Sequence, residues 1–169
     1  MLLSFLEISV AVPANTETPF DLFAYNNSGN VALEATAWAS NSARATNLTQ
    51  QDGVLVKSGS LTRRYLGTGR TNGVSGQTED SATKRFLWNY YNRAPRNLYV
   101  VEAAGSWSYG SGSWRAARGN TANRVEVVVG VADTLLNLTV FSVMETASGK
   151  AAAVGIAEDS TTTIHPKSL

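Results

Sequence analysis

The sequence predicts an all-β fold: an antiparallel β-sandwich of jelly-roll character, with about 8–10 strands and little helix. Three observations carry that expectation. Short apolar runs alternate with polar residues at period two, β-branched and aromatic side chains fill them, and Gly/Asn/Ser clusters separate them. The composition agrees. Of 169 residues, 43% are hydrophobic and only 16% charged, so Ser, Thr, Asn and Gly supply most of the polarity. Such a mixture suits sheets whose outer faces are rich in hydroxyl and amide groups. The length suits one domain, expected over residues 1–161 with a tail at 162–169.

The first strand is expected at residues 4–12. Ser4, Leu6, Ile8, Val10 and Val12 fall on one side of an extended chain, with Phe5, Glu7, Ser9 and Ala11 on the other. A secretory signal fits less well, because no basic residue precedes the apolar stretch and Glu7 interrupts it. Residues 20–25 and 31–38 flank the turn cluster Asn26-Asn-Ser-Gly-Asn30 and read as a hairpin. Strands follow at 53–57 and 63–67 around Ser58-Gly-Ser60, and the glycines of 67–76 predict an exposed loop. A strand is expected at 84–92, although Ser81 could cap a helical turn there. Further strands are expected at 97–102, on both sides of Gly110-Ser-Gly112, and at 124–132, 136–144 and 151–157. No apolar run approaches the ~20 residues of a membrane-crossing helix, so no membrane insertion is expected.

Residues 62–96 concentrate what is unusual. They hold seven of the 14 basic residues, and Arg85-Phe-Leu-Trp-Asn-Tyr-Tyr-Asn-Arg93 packs four aromatics into nine positions. Arginine interleaved with aromatics favours contact surfaces, since both offer large area at modest conformational cost. Read as a strand, the block splits into two rows. Phe86, Trp88 and Tyr90 are expected in the core; Leu87, Asn89 and Tyr91 are expected on a contact face. With Arg63, Arg64, Tyr65, Arg85 and Arg93 these last three form the candidate protein-contact set.

Charge is uneven along the chain. Residues 60–124 carry +7, whereas 1–59 and 125–169 carry −3 each, within a net charge of +1. Opposite-sign regions could support contacts between copies or with an acidic partner. They could equally interleave once strands fold back on one another. Nucleic-acid binding is not expected, because the whole chain is near neutral and shows no recognised nucleic-acid motif.

Catalytic chemistry finds little footing. The chain has no cysteine, which removes disulfides, thiolate metal sites and thiol nucleophiles together. The single histidine, His165, stands beside Pro166 without the residues of a triad or a three-ligand metal site. Glu79 and Asp80 are adjacent, so on a strand they point to opposite faces. A glycosidase pair instead needs its carboxyls about 5–9.5 Å apart across a substrate. A solvated turn or an ion pair with Arg85 is the expected role. The Gly67-Thr-Gly69 stretch lacks the Gly-Lys-Ser/Thr ending of a phosphate loop. No catalytic residue, cofactor or metal is expected.

The residues also carry a resemblance. Tyr65-Leu-Gly-Thr68, Gly76-Gln-Thr-Glu-Asp-Ser81 and Lys84-Arg-Phe-Leu-Trp-Asn-Tyr-Tyr-Asn-Arg93 look like a domain recurring in structural proteins of tailed bacteriophages. Upstream, Asp21-Leu-Phe-Ala-Tyr25, Leu33-Glu34, Trp38, Arg44-Ala-Thr46 and Gln51-Asp-Gly-Val54 extend it in the same order. Downstream, Ser106-Trp-Ser-Tyr109, Trp114-Arg115, residues 127–132 and Val154-Gly-Ile156 continue it. It spans residues 5–161, with the central motif the most specific part.

The resemblance implies a virion component built as a β-sandwich, assembling into homo-oligomers and carrying no catalytic site. Two readings follow. In the first, the chain is a capsid decoration (cement) protein that binds the major capsid protein and copies of itself at the capsid surface. The lack of a fibrous shaft before the first strand favours this one. In the second, it is the receptor-binding head of a tail fibre or spike. Trp107, Tyr109 and Trp114, in their Gly/Ser setting, would then stack on host glycans. Packing in the core or between subunits is the expected role of those three aromatics.

Overall fold

The computed structural model describes residues 7–133, 135–158, 160 and 162–166. The expected strand at 4–12 begins outside the described residues. From Glu7 onwards it forms no ladder, although Ile8, Val10 and Val12 are half-buried and Glu7, Ser9 and Ala11 exposed, so the period-two pattern survives as burial.

The fold is nearly all β, with antiparallel pairing throughout its main sheet. Strands β1 (Pro19–Asn27) and β2 (Asn30–Ala37) form the expected hairpin, paired from Asn27↔Asn30 to Phe20↔Ala37. Ser28 and Gly29 turn the chain with positive φ, and the Asn26 side chain accepts from the Gly29 N–H. Strands β3 (Leu48–Gln51) and β4 (Val54–Lys57) form a second hairpin around Asp52 and Gly53. The long β5 (Ser60–Arg70) then runs through the middle of the sheet. The order is β2-β1-β5-β4-β3, and β7 (Leu87–Asn89) also pairs with β5. β1 takes one edge of β5, while β4 and β7 share the other, β4 near Arg64 and β7 at Gly67–Gly69. A separate two-stranded parallel pair joins β6 (Lys84–Arg85) to β8 (Glu126–Val127). The path of the main sheet is open at both ends.

The glycine-rich loop expected at 67–76 is corrected at its start, for Gly67, Thr68 and Gly69 are buried inside β5, while residues 73–76 are exposed outside any strand as expected. The glycines serve close approach rather than flexibility. A Cβ on Gly67 would overlap the Trp88 carbonyl oxygen of β7, and one on Gly69 would overlap the Phe20 ring. The expected strand at 84–92 is divided. Phe86 donates to the Glu79 carbonyl and accepts from the Arg70 N–H, so it leaves the β8 pairing and joins the β5 pairing.

Chain contacts divide the molecule into two units. The first comprises residues 1–99 and 125–132 and holds all eight strands found among the described residues. Its core gathers Phe23, Tyr65, Trp88 and Val128, with Leu48, Leu55, Tyr90 and Val131 against them. A register shift between Leu22 and Phe23 puts both Tyr65 and Thr68 opposite core-facing residues of β1, despite their spacing of three. Residues 128–131 lie over that face. Gly130 sits against Tyr65, Thr68 and Trp88 so closely that a Cβ would overlap all three.

The second unit, residues 100–124 and 133–169, corrects the sequence reading most. Its described residues form one 3-10 turn, η1 (Ala117–Gly119), and no strand. The strands expected at 97–102, beside Gly110-Ser-Gly112, at 136–144 and at 151–157 are absent among the described residues, and 124–132 contributes only Glu126–Val127 to a ladder. The physical reason is that β-branched composition measures fit to a half-buried sheet surface, not an intrinsic backbone preference. Without an edge to pair with, such a run gains no ladder.

Candidate functional site

The aromatic block separates into two rows as its alternation predicts. Phe86 and Trp88 are buried and Tyr90 is half-buried. Leu87 is 42% exposed, Tyr91 48%, and Asn89 is exposed between them. Pairing of Gly67 with Asn89 and of Gly69 with Leu87 fixes which way each row faces, because side chains alternate along a strand. The Asn89 carboxamide accepts from the N–H groups of Tyr91 and Asn92 and so closes the turn after β7.

Of the candidate arginines, Arg64 touches this row; the others lie against neighbouring groups. Arg64 is exposed; its guanidinium lies 4.5 Å from the Tyr91 ring centre, and its Nε donates to the Tyr91 hydroxyl at 2.9 Å. Arg93 covers the rings of Tyr90 and Trp88 at 4.8 and 5.1 Å and donates to the Tyr90 carbonyl. Arg85 reaches the Ala94 carbonyl. Arg63 stacks on Tyr25 at 4.6 Å and pairs with Glu34. Rigid aromatic bodies topped by arginine guanidinium groups make a surface with large area and little entropy left to lose.

Tyr65 does not belong to that surface. It is wholly buried in the core, a correction to its place among the contact candidates. Its hydroxyl pairs with Thr68 Oγ1, which donates to Asp21 Oδ1 at 2.6 Å. Arg44 closes the network, donating from Nε to Asp21 Oδ2 at 2.7 Å and from Nη2 to both Asp21 Oδ1 and the Gly130 carbonyl. The Arg44 guanidinium also lies 4.4 Å from the Trp38 ring centre. Asp21 is 2% exposed, so this network ties β1, β5 and residues 128–131 together in the interior. Burial, reinforced by the Asp21 charge, pushes the Tyr65 phenol up to about 12. Sequence reasoning missed the network. Its one signal was an aspartate inside the apolar run Phe20-Asp-Leu-Phe23.

A second charged cluster stands on the same sheet. Glu34 accepts from Lys57 and Arg63, and from Thr36 at 3.0 Å. Burial raises the Glu34 pKa, but the hydrogen bonds from Lys57, Arg63 and Thr36 more than offset that and hold it at about 2. Glu79 pairs with Lys84 at 3.3 Å and Asp80 with Arg96 at 2.6 Å, so neither carboxylate takes Arg85 as its expected partner. Arg70 lies 3.9 Å from Glu126. The Arg63–Glu34 and Arg70–Glu126 pairs join the basic segment to the acidic ones, so the signs partly interleave in space.

The aromatics of the alternative site lie in the second unit and are exposed: Trp107 47%, Tyr109 42% and Trp114 36%. The Arg115 guanidinium sits 3.8 Å from the Tyr109 ring centre and 5.9 Å from that of Trp107. The Tyr109 hydroxyl donates to the Ser113 carbonyl, closing the Gly/Ser turn. Elsewhere in the second unit, the Glu102 carboxylate is held below its usual range, chiefly by hydrogen bonds from the Asn123 side chain and the Ala104 N–H.

Among the described residues no group of His, Asp and Glu is arranged to hold a metal ion, and no helix is long and apolar enough to cross a membrane. His165 lies 4.0 Å from Glu158 at a shallow depression that both line. No protein-family model, no curated protein and no solved structure matches the chain.

Proposed function

We propose that this chain is a non-enzymatic structural protein of a tailed-bacteriophage virion. Its role is capsid decoration: several copies bind the major capsid protein at the capsid surface and stabilise the shell. The observation that carries the reading is the exposed row Leu87–Asn89–Tyr91, with Arg64 stacked on Tyr91, inside the segment that bears the resemblance. Work of this kind is mechanical. Each copy adds contact area between neighbouring shell subunits, and by mass action anything that binds only the assembled shell stabilises it. In this reading the open sheet is one layer of a β-sandwich. Neither nucleic acid nor a cofactor takes part.

Labelling the protein on intact particles tests the reading. Signal spread in a regular array over the head supports decoration. Signal confined to the tail tip sinks it in favour of the second reading, a fibre or spike head that recognises host surface glycans. One observation favours that second reading: Trp107, Tyr109 and Trp114 are all exposed, with Arg115 stacked among them, as a sugar-stacking surface requires. Glycan binding that disappears in Trp107→Ala and Trp114→Ala would establish it.

A further inference from the structure

Most of the large hydrophobic side chains left exposed among the described residues belong to the second unit, and residues 135–144 hold the densest run of them. Leu135 is 86% exposed, Phe141 94% and Val143 103%, and Leu136, Leu138 and Met144 stand nearly half exposed or more. The segment Leu135-Leu-Asn-Leu-Thr-Val-Phe-Ser-Val-Met144 carries no charge, and the acidic residues Asp133 and Glu145 bracket it. No backbone hydrogen bond joins residues 135–146 to any described residue. The run has strand composition, carries apolar residues on both alternating sides, and has no ladder. An apolar extended chain with unpaired N–H and C=O groups is a template for another strand.

We infer that residues 135–144 form an assembly strand that is completed by a second copy of this chain. Three features select that partner. The chain just before the segment is committed elsewhere: Val128 donates to the Arg85 carbonyl, and the Gly130 carbonyl accepts from Arg44. The segment has no charge to recognise an acidic or basic protein, and none to repel its own copy when identical strands lie side by side. The area is also of the right size. With Val140, 44% exposed, seven large apolar side chains at these exposures offer roughly 300–600 Å². The backbone of a paired strand brings this towards the ~800 Å² that each partner contributes to a stable interface.

The inference deepens the oligomeric part of the proposed function and is tested on the purified full chain, without phage particles. Light scattering together with amide hydrogen exchange reads it directly. The expected result is a mass that is a whole multiple of the single chain. Amides 135–146 should exchange at least tenfold more slowly in the assembly than after dilution. Leu138→Lys with Val140→Lys should return the chain to single-chain mass while the near-ultraviolet dichroism of the Tyr65–Trp88 core persists. Should that variant not fold, Phe141→Ser makes the same test. A single-chain mass at every concentration overturns the inference, and so does protection of 135–146 in a single chain, which would mean pairing within the chain. An oligomer unaffected by the substitutions overturns it as well. A protein absent from virions would defeat the proposed function while leaving this result standing.

Discussion

Trp88 and Tyr91 lie three residues apart, yet one is 7% exposed and the other 48%. Trp88→Ala should therefore cost about 3–5 kcal/mol, whereas Tyr91→Ala should stay within ~0.5 kcal/mol. Urea unfolding of the two variants checks this, and the reverse order would mean that the rows face the other way. Asp21→Ala leaves the half-buried Arg44 guanidinium without its carboxylate partner and should cost about 3 kcal/mol. Adding Arg44→Met should recover part of that, because two apolar residues leave no buried charge unpaired. Glu34 sets a pH dependence. Its folded pKa of about 2 lies below the ordinary 4.5, so its contribution is complete above pH 4.5 and is lost as pH falls towards 2. Glu34→Gln should remove about 1–2 kcal/mol of that acid-side slope, after allowance for solvent screening. Acid titration of unfolding at fixed ionic strength measures it. The alternation of residues 86–91 could be read from the sequence because a strand has a strict period of two. The Asp21–Arg44–Thr68–Tyr65 network could not, since it joins residues far apart in the chain through a register shift that no local pattern encodes.

At the scale of elements, the hairpins at 26–30 and 58–60 were legible; the β3–β4 hairpin and the close approaches were not. Asn26-Asn-Ser-Gly-Asn30 and Ser58-Gly-Ser60 announce turns through residues that tolerate positive φ, and the chain turns at both places. Gly67 and Gly69 carry the same letter with the opposite meaning: a strand must pass against Trp88 and Phe20, and only a missing side chain permits it. Gly130 makes the same kind of close approach against one face of the sheet. Gly130→Ala should cost about 1–3 kcal/mol through overpacking against Tyr65, Thr68 and Trp88, with Val129→Ala as a control at a half-buried neighbour. Differential scanning calorimetry of the two variants checks it. The strands expected after residue 97 failed for a reason of the same kind. Their composition states what surface they would fit, and the edge they need is not supplied by the described part of their own chain.

At the scale of the whole molecule, the first unit has a packed core and a satisfied charge network, while the second carries much exposed apolar surface. Opposite charges along the sequence are partly paired in space through Arg63–Glu34 and Arg70–Glu126. What remains outward on the aromatic block is the row of Leu87, Asn89 and Tyr91 with Arg64 stacked on Tyr91, suited to protein contact. The most direct measurement adds purified protein to phage heads that lack it and counts the copies bound per head. Saturable binding at a fixed ratio to the major capsid protein, with a higher temperature of shell disruption, is the predicted result. Tyr91→Ala with Arg64→Ala should weaken that binding at least tenfold without unfolding the chain. No binding to heads, or binding that leaves shell stability unchanged, would contradict the account.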